Sequence, residues 1–189
     1  MRLNWGMIGG GEGSQIGPAH RIAAGMDGLF TFAAGALDAD PARGRDYAQR
    51  LGVAPDRAYG NWQEMLAGEQ NRPDRIELVT VATPNATHYP IAKAFLQAGF
   101  NVLVEKPMTV TVAESEDLVR TAHAANRICA VNYGYTGYPL VREMRQRIAA
   151  GALGTLRKVV VEYPQGWLSQ PAEGKQAEWR VDPARSGAG

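Results

Sequence analysis

The chain has 189 residues, with 20 Lys and Arg against 19 Asp and Glu, a formal net charge of +1 and 45% apolar residues. That length holds one domain and part of another, and the near-neutral balance gives no electrostatic case for nucleic acid or an anionic membrane surface. No apolar run approaches the ~20 residues of a membrane helix; the single cysteine has no internal disulfide partner, and three histidines without ligand spacing argue against a metal site.

The first five residues lead straight into an apolar strand and leave no room for a signal peptide, so a cytoplasmic protein is expected. Met7 and Ile8 are the buried end of that strand. Gly9, Gly10, Gly11 and Gly13 follow, then Gly17-Pro18 opening a helix over residues 18–26 with Ile22 and Ala23 inward. Gly9 and Gly11 let backbone N–H groups approach an anion, and the positive end of the helix would face a pyrophosphate. Strand, glycine loop and helix are the context that a dinucleotide fingerprint requires. The spacing departs from G-x-G-x-x-G: Ser14 stands where the third glycine is expected, and Gly17 is the next suitable one. The loop therefore reads as three residues longer than usual, with the phosphate contacts among Gly11, Ser14, Gln15 and Ile16. Gly9-x-Gly11-x-Gly13 also fits the loop of S-adenosylmethionine-dependent methyltransferases, and a flexible turn that binds nothing is the third possibility.

Residues 30–37 are a second strand, ending at Asp38. An acid about 20 residues past the glycine loop is where this fold holds a ribose diol. A carboxylate accepts from the 2′-OH and repels a 2′-phosphate, so Asp38 favours NAD, with NADP possible. Asp40, directly before Pro41, suits the capping of a helix over residues 41–51. Residues 63–67 read as a short amphipathic helix and 68–74 as a polar loop. Residues 76–82 are a β-branched run of the kind found in a parallel strand covered on both faces. Thr83-Pro84-Asn85 ends it, and in an open parallel sheet this turn borders the ligand.

A helix over 89–98 closes on Gly99. The next strand delivers Glu105-Lys106-Pro107 to the same edge. A helix capped near Thr111 spans 112–124, and residues 128–133 are placed as a sixth strand, with Cys129 as a small core residue. The alternation is the βαβ rhythm of a doubly wound sheet. Residues 139–150 read as a helix with Leu140, Val141, Met144 and Ile148 on one face, and 156–163 as a strand of different character. The boundary falls near Tyr133: a dinucleotide-binding Rossmann domain over 1–133, then over 134–189 the start of an α+β open-sheet domain. The stretch from Gln165 reads as a long loop carrying Trp179 and Arg180.

With these motifs in order, the chain resembles the glucose-fructose oxidoreductase / inositol dehydrogenase (Gfo/Idh/MocA) family. The glycine loop, Asp38, Ala82-Thr83-Pro84-Asn85-x-x-His88, Glu105-Lys106-Pro107, Asn132-Tyr133 and Trp179-Arg180-x-Asp182-Pro183-x-x-Ser186-Gly187 follow the family's order and spacing. The resemblance implies an NAD(P)-dependent dehydrogenase that moves a hydride between the nicotinamide and a sugar or polyol hydroxyl. It implies that Lys106, partly desolvated, is the acid–base residue, and that Glu105 supports Lys106 and the nicotinamide ribose. Thr83, Pro84, Asn85 and His88 would line the nicotinamide side, and Trp179 and Arg180 would close over the cofactor. It also implies a homo-oligomer formed through the second-domain sheet.

The family's second catalytic pair, an Asp and a His, belongs after the Ser-Gly stretch, and the sequence stops at Gly189 before it. These residues alone are expected to bind NAD and to turn over poorly. The competing expectation is a non-catalytic module that senses NAD.

Overall fold

The computed structural model describes residues 2–164, 166 and 181–187. They divide into two compact units, Met1–Asn132 with Pro183–Gly189, and Tyr133–Asp182. Residues 183–187 thus group with the first unit and not with the segment that begins at Tyr133.

The first unit is built on a parallel sheet of β1 (Leu3–Gly9), β2 (Phe30–Ala36), β3 (Leu78–Ala82), β4 (Asn101–Glu105) and β5 (Cys129–Asn132), in the order β2-β1-β3-β4-β5. The helices are α1 (Ile16–Met26), α2 (Pro41–Arg50), α3 (Trp62–Gln70), α4 (His88–Gln97) and α5 (Val112–Ala125). Alternate side chains of β1, β2 and β3 feed two separate cores, as the pleat requires, and β4 and β5 contribute to the first of these. Ile8, Val79, Val81, Val102 and Val104 pack with Met65 of α3, Phe95 of α4 and Leu118 of α5. Trp5, Met7 and Leu37 pack with Ala48 of α2, with Ala24 of α1 against them. Both faces of β3 are therefore covered, which explains why it reads as a continuous apolar run. The polar Thr80 is tolerated at the centre because its hydroxyl accepts from the Trp5 indole at 2.8 Å.

Residues 128–133 supply the fifth strand, not a sixth. A further strand survives only as one parallel bridge between Gly35 and Ala58, because a short 3-10 turn at Pro55–Arg57 and the turn into α3 leave no length for more. Helix α1 starts at Ile16 and turns Gly17, His20, Arg21 and Ala24 inward; Ile22 is 67% exposed and Ala23 is also exposed, which corrects the expected inner face. The apolar count misled here because the inner face of α1 lies against polar loop backbone.

Helix α3 runs three residues past Ala67, through what reads as a polar loop. Asn61 caps it by accepting from Glu64 N at 2.8 Å. Gly68 is kept inside the helix because the Tyr59 ring lies 2.6 Å from where a Cβ would stand. Glu69 is fully buried, accepting from Arg57 Nε and Nη2 (3.0 and 2.6 Å), Tyr59 Oη (3.0 Å) and Ile76 N (3.0 Å). Burial and the adjacent Glu69 charge push the Tyr59 phenol up to about 12. Cys129 is half-buried, and burial raises its thiol, in keeping with a core role.

In the second unit α6 (Pro139–Ala149) forms as the periodicity predicts. Its apolar face is largely bare, with Leu140 at 81% and Met144 at 54% exposure. The expected strand over 156–163 is not formed: residues 156–164 have no regular secondary structure, and Val159, Val160 and Val161 are exposed. A strand needs a ladder partner for its N–H and C=O groups, and the described residues offer it none. Among the described residues no helix is long and apolar enough to cross a membrane.

Candidate functional site

The carboxyl ends of the five strands put Gly9, Leu37-Asp38, Ala82-Thr83, Glu105-Lys106 and Asn132 along one edge of the sheet. The chain leaves β1 outward to β2 and returns across it to β3. The glycine loop therefore sits at the switch point where open α/β sheets hold ligands.

The loop glycines are fixed by close backbone approach. A Cβ on Gly9 would lie 2.5 Å from Ala82 O, on Gly11 2.3 Å from Leu37 O, and on Gly17 1.9 Å from Gly10 O. Gly17 thus takes the place of the third fingerprint glycine, the one that lets helix and loop pack. The three extra residues close on themselves. Ser14 N donates to Gly11 O (3.0 Å), Ser14 Oγ accepts from Gly17 N (3.1 Å), and Glu12 is held outside by Arg50 at 2.9 and 3.2 Å. In contrast, a Cβ on Gly13 would meet nothing. The contact pattern is thus Gly9, Gly11 and Gly17, and not Gly9-x-Gly11-x-Gly13. Gln15 precedes α1 and Ile16 begins it, so both lie at the helix's positive end. Arg21 braces the loop from behind, donating to Gly10 O at 2.9 Å and to Tyr47 Oη at 3.2 Å.

Asp38 stands just beyond β2, its side chain 8% exposed. It accepts from Arg43 Nε (3.0 Å), Arg43 Nη2 (2.6 Å) and Asp40 N (2.9 Å). Asp40 is the cap of α2, accepting from Arg43 N at 3.0 Å. The two acids therefore have separate jobs.

On the other side of β1, Thr83 is half-buried and Pro84 exposed. Asn85 is buried, and its Nδ2 donates to Ser186 O at 2.8 Å. Ser186 belongs to a one-turn helix, α7 (Pro183–Ser186), that packs on the 3-10 turn Asn85–Thr87. His88 is fully buried, and its Nδ1 and Nε2 each lie 2.8 Å from a backbone carbonyl, those of Pro107 and Thr83. The resemblance put it on the nicotinamide side, and its ring is enclosed here with both nitrogens on backbone. It ties the turn after β3 to the turn after β4, because both nitrogens are committed to backbone.

Glu105, 8% exposed, is reached by Asn132 Nδ2 (2.6 Å) and by His20 Nε2 (2.7 Å), both on Oε1. Burial pushes its carboxyl up, but the hydrogen bonds from His20, Asn132 and the Lys106 backbone outweigh it and hold the carboxyl below its usual range. His20 is the site residue that sequence reasoning missed. The available signal was its position three residues past Gly17, which turns it to the same face as the loop. Lys106 is exposed at the edge. Trp179 and Arg180 lie outside the described residues. Among the described residues no group of acids, histidines and cysteine could hold a metal ion.

A parallel sheet, a glycine loop packed against β2 and β3, and an acid at the end of β2 define a dinucleotide-binding Rossmann domain. A family model described as an oxidoreductase family with an NAD-binding Rossmann fold, Gfo/Idh/MocA, matches residues 3–133, and the chain belongs to that family. It is 43% identical to uncharacterized oxidoreductase YfiI of Bacillus subtilis (strain 168), over 98% of this chain and 48% of that protein. It is 30% identical to levoglucosan dehydrogenase of Pseudarthrobacter phenanthrenivorans, over 99% of this chain and 47% of that one. Its fold superposes on the crystal structure of an inositol dehydrogenase homolog complexed with NAD+ from Azotobacter vinelandii. There the TM-score is 0.95 and the identity 44%, over 99% of this chain and 49% of that one. The chain thus spans about half the length of the relatives it matches.

Proposed function

We propose that this chain carries the cofactor-binding part of an NAD-dependent oxidoreductase acting on a hydroxyl of a sugar or polyol. Residues 1–133 are its dinucleotide-binding domain, and 134–189 begin its substrate domain. The observation that carries this reading is the glycine cradle, where Gly11 and Gly17 sit so close to Leu37 O and Gly10 O that no side chain fits. Such contacts bring loop backbone to an edge where a pyrophosphate can meet N–H groups directly.

NAD would supply hydride acceptance at its nicotinamide carbon. The amides of Gly11, Gln15 and Ile16 and the hydroxyl of Ser14, whose own amide is committed to Gly11 O, would hold the pyrophosphate, and Asp38 would accept from the adenosine ribose. Thr83, Pro84 and Asn85 border the nicotinamide side, and His88 fixes the turn that carries them. Lys106 orients the substrate hydroxyl and moves its proton, acting from the strand end that Glu105 anchors through His20 and Asn132. Trp179 and Arg180 cover the cofactor. The sugar or polyol class is supported by the relatives, one an inositol dehydrogenase homolog and one a levoglucosan dehydrogenase. Self-association through the second-domain sheet completes the proposal.

Titration calorimetry with NADH tests it on the chain itself. NADH binds, Asp38→Ala weakens binding by roughly 10- to 100-fold, as loss of hydrogen bonds to a charged acceptor does, and Lys106→Ala leaves it within about threefold. No heat with either NADH or NADPH on folded chain overturns the reading.

A further inference from the structure

Glu105 Oε1 joins three elements. His20 Nε2 of α1 lies 2.7 Å from it, and Asn132 Nδ2 at the end of β5 donates to it at 2.6 Å. Glu105 itself closes β4 and directly precedes Lys106. A charged carboxylate only accepts, so His20 Nε2 carries the proton in this pair. The contact is nearly enclosed, with 9% of the His20 side chain and 11% of the Glu105 side chain exposed. Hydrogen bonds to a charged group in such surroundings are among the strong ones.

His20 belongs to the helix that opens on the glycine loop. Gly17, His20 and Arg21 stand at i, i+3 and i+4 and share one face of α1. Gly17 packs on Gly10, and Arg21 donates to Gly10 O at 2.9 Å, so two contacts hold α1 to the loop. The third, from His20, reaches the end of β4, two strands from β1 in the sheet order. One turn of helix therefore connects the pyrophosphate end of the site to the strand end that carries Lys106. The connection leaves accepting capacity on the acid. Two carboxylate oxygens offer about four lone-pair positions, and among the described residues the donors are His20, Asn132 and the Lys106 amide. Both side-chain donors act on Oε1, so Oε2 retains room for a ligand hydroxyl.

We propose that His20 is a positioning residue for the nicotinamide half of the cofactor. From α1 it fixes the Glu105 side chain through Oε1 and leaves Oε2 for a hydroxyl of the nicotinamide ribose, so one helix serves both halves of the dinucleotide. This rests on the reading of the sheet edge as a dinucleotide site.

The test compares NADH with ADP, which has the adenosine and the pyrophosphate but no nicotinamide riboside, by calorimetry on the 189-residue chain. The variants are His20→Ala, His20→Gln, Glu105→Gln and the double variant of His20→Ala with Glu105→Gln, with circular dichroism to confirm folding. His123→Ala is the control, since His123 is exposed in the last turn of α5. His20→Ala weakens NADH about tenfold, the size of a contact to a charged group, and leaves ADP within about twofold. His20→Gln keeps an N–H donor and recovers most of the NADH affinity. The double variant binds NADH no more weakly than Glu105→Gln alone, because His20 acts through that carboxylate. His123→Ala moves neither ligand. If His20→Ala does not fold, His20→Leu, which fills the space without a donor, takes its place. Equal weakening of NADH and ADP overturns the role of His20 and leaves the nucleotide site standing. So does a double variant in which the two losses add. Failure of the wild type to bind either ligand overturns both readings.

Discussion

The two units of the chain carry similar apolar patterns and meet different fates. In Met1–Asn132, Met7, Val81, Phe95 and Leu118 are fully buried, because strands and helices pack face to face around two cores. In Tyr133–Asp182, Leu140 and Met144 on the apolar stripe of α6 and Val161 of the valine run stay exposed. Pattern states which face would be buried. Burial itself needs a second surface, and the energy of about 25 cal/mol per Å2 of apolar surface comes only with it. The first unit should therefore respond strongly to substitution and the second weakly.

The largest effect is expected at Glu69. Its carboxylate answers Arg57, Tyr59 and the Ile76 amide, all inside the first unit. Glu69→Ala leaves Arg57, itself 6% exposed, without its main partner. Breaking a buried ion pair from one side costs about 3–5 kcal/mol. Urea unfolding followed by circular dichroism measures it. A loss below about 1 kcal/mol would mean that water or a neighbour replaces the carboxylate, and that the network is less closed than its geometry shows.

Next come the loop glycines, which sharpen the comparison within one loop. Gly17→Ala drives a Cβ into Gly10 O, which is backbone and has little room to yield. The strain is of the over-packing kind, about 1–3 kcal/mol, and NADH affinity should fall with it. Gly13→Ala meets no atom, and only its φ of +76° opposes the change, at about 1–2 kcal/mol. NADH binding should survive it. Equal loss of binding in the two variants would return the loop to the Gly9-x-Gly11-x-Gly13 pattern.

Glu105 gives a smaller effect that depends on pH. Its folded carboxyl titrates below the ordinary 4.5 because His20 and Asn132 hold the charged form against the opposing effect of burial. A depressed folded value contributes stability that is complete above the unfolded value and disappears as pH falls through the folded one. The stability gap between wild type and Glu105→Gln should therefore be constant near neutrality and close below about pH 4. A gap that persists unchanged to pH 3 would show that it comes from packing and not from ionisation.

Much of the first unit was legible because its signals are local. The order of strands and helices, the caps at Asp40 and Thr111, and the turn at Pro84 are properties of neighbours in sequence. The role of Gly17 as third glycine was readable from spacing once the loop was allowed to lengthen. What was missed is nonlocal. His20 meets Glu105 across 85 residues, and Asn85 meets Ser186 across 101. Neither pairing leaves a periodicity to read. Ile22 and Ala23 were placed inward because apolar residues were expected to define the inner face of α1, whereas that face is set by Gly17 and Arg21 against the loop and by His20 against Glu105. His88 was assigned to the nicotinamide side from its place in a motif, but only the tertiary fold brings the carbonyls of Thr83 and Pro107 to its two nitrogens.

The smallest effect tests the comparison from the other side. Leu140 lies on α6 with 81% of its surface exposed, so Leu140→Ser removes almost no buried area. A surface change of this kind alters stability by less than about 0.5 kcal/mol, although the same substitution at a buried leucine such as Leu118 would cost several times more. The urea midpoint of the chain should be unmoved, and its tendency to self-associate, read by light scattering, should fall because an exposed apolar stripe has been interrupted. A drop in stability comparable to a core truncation would mean that Leu140 is buried in solution by a second copy of the chain. The contrast between the two units would then be one of assembly and not of sequence.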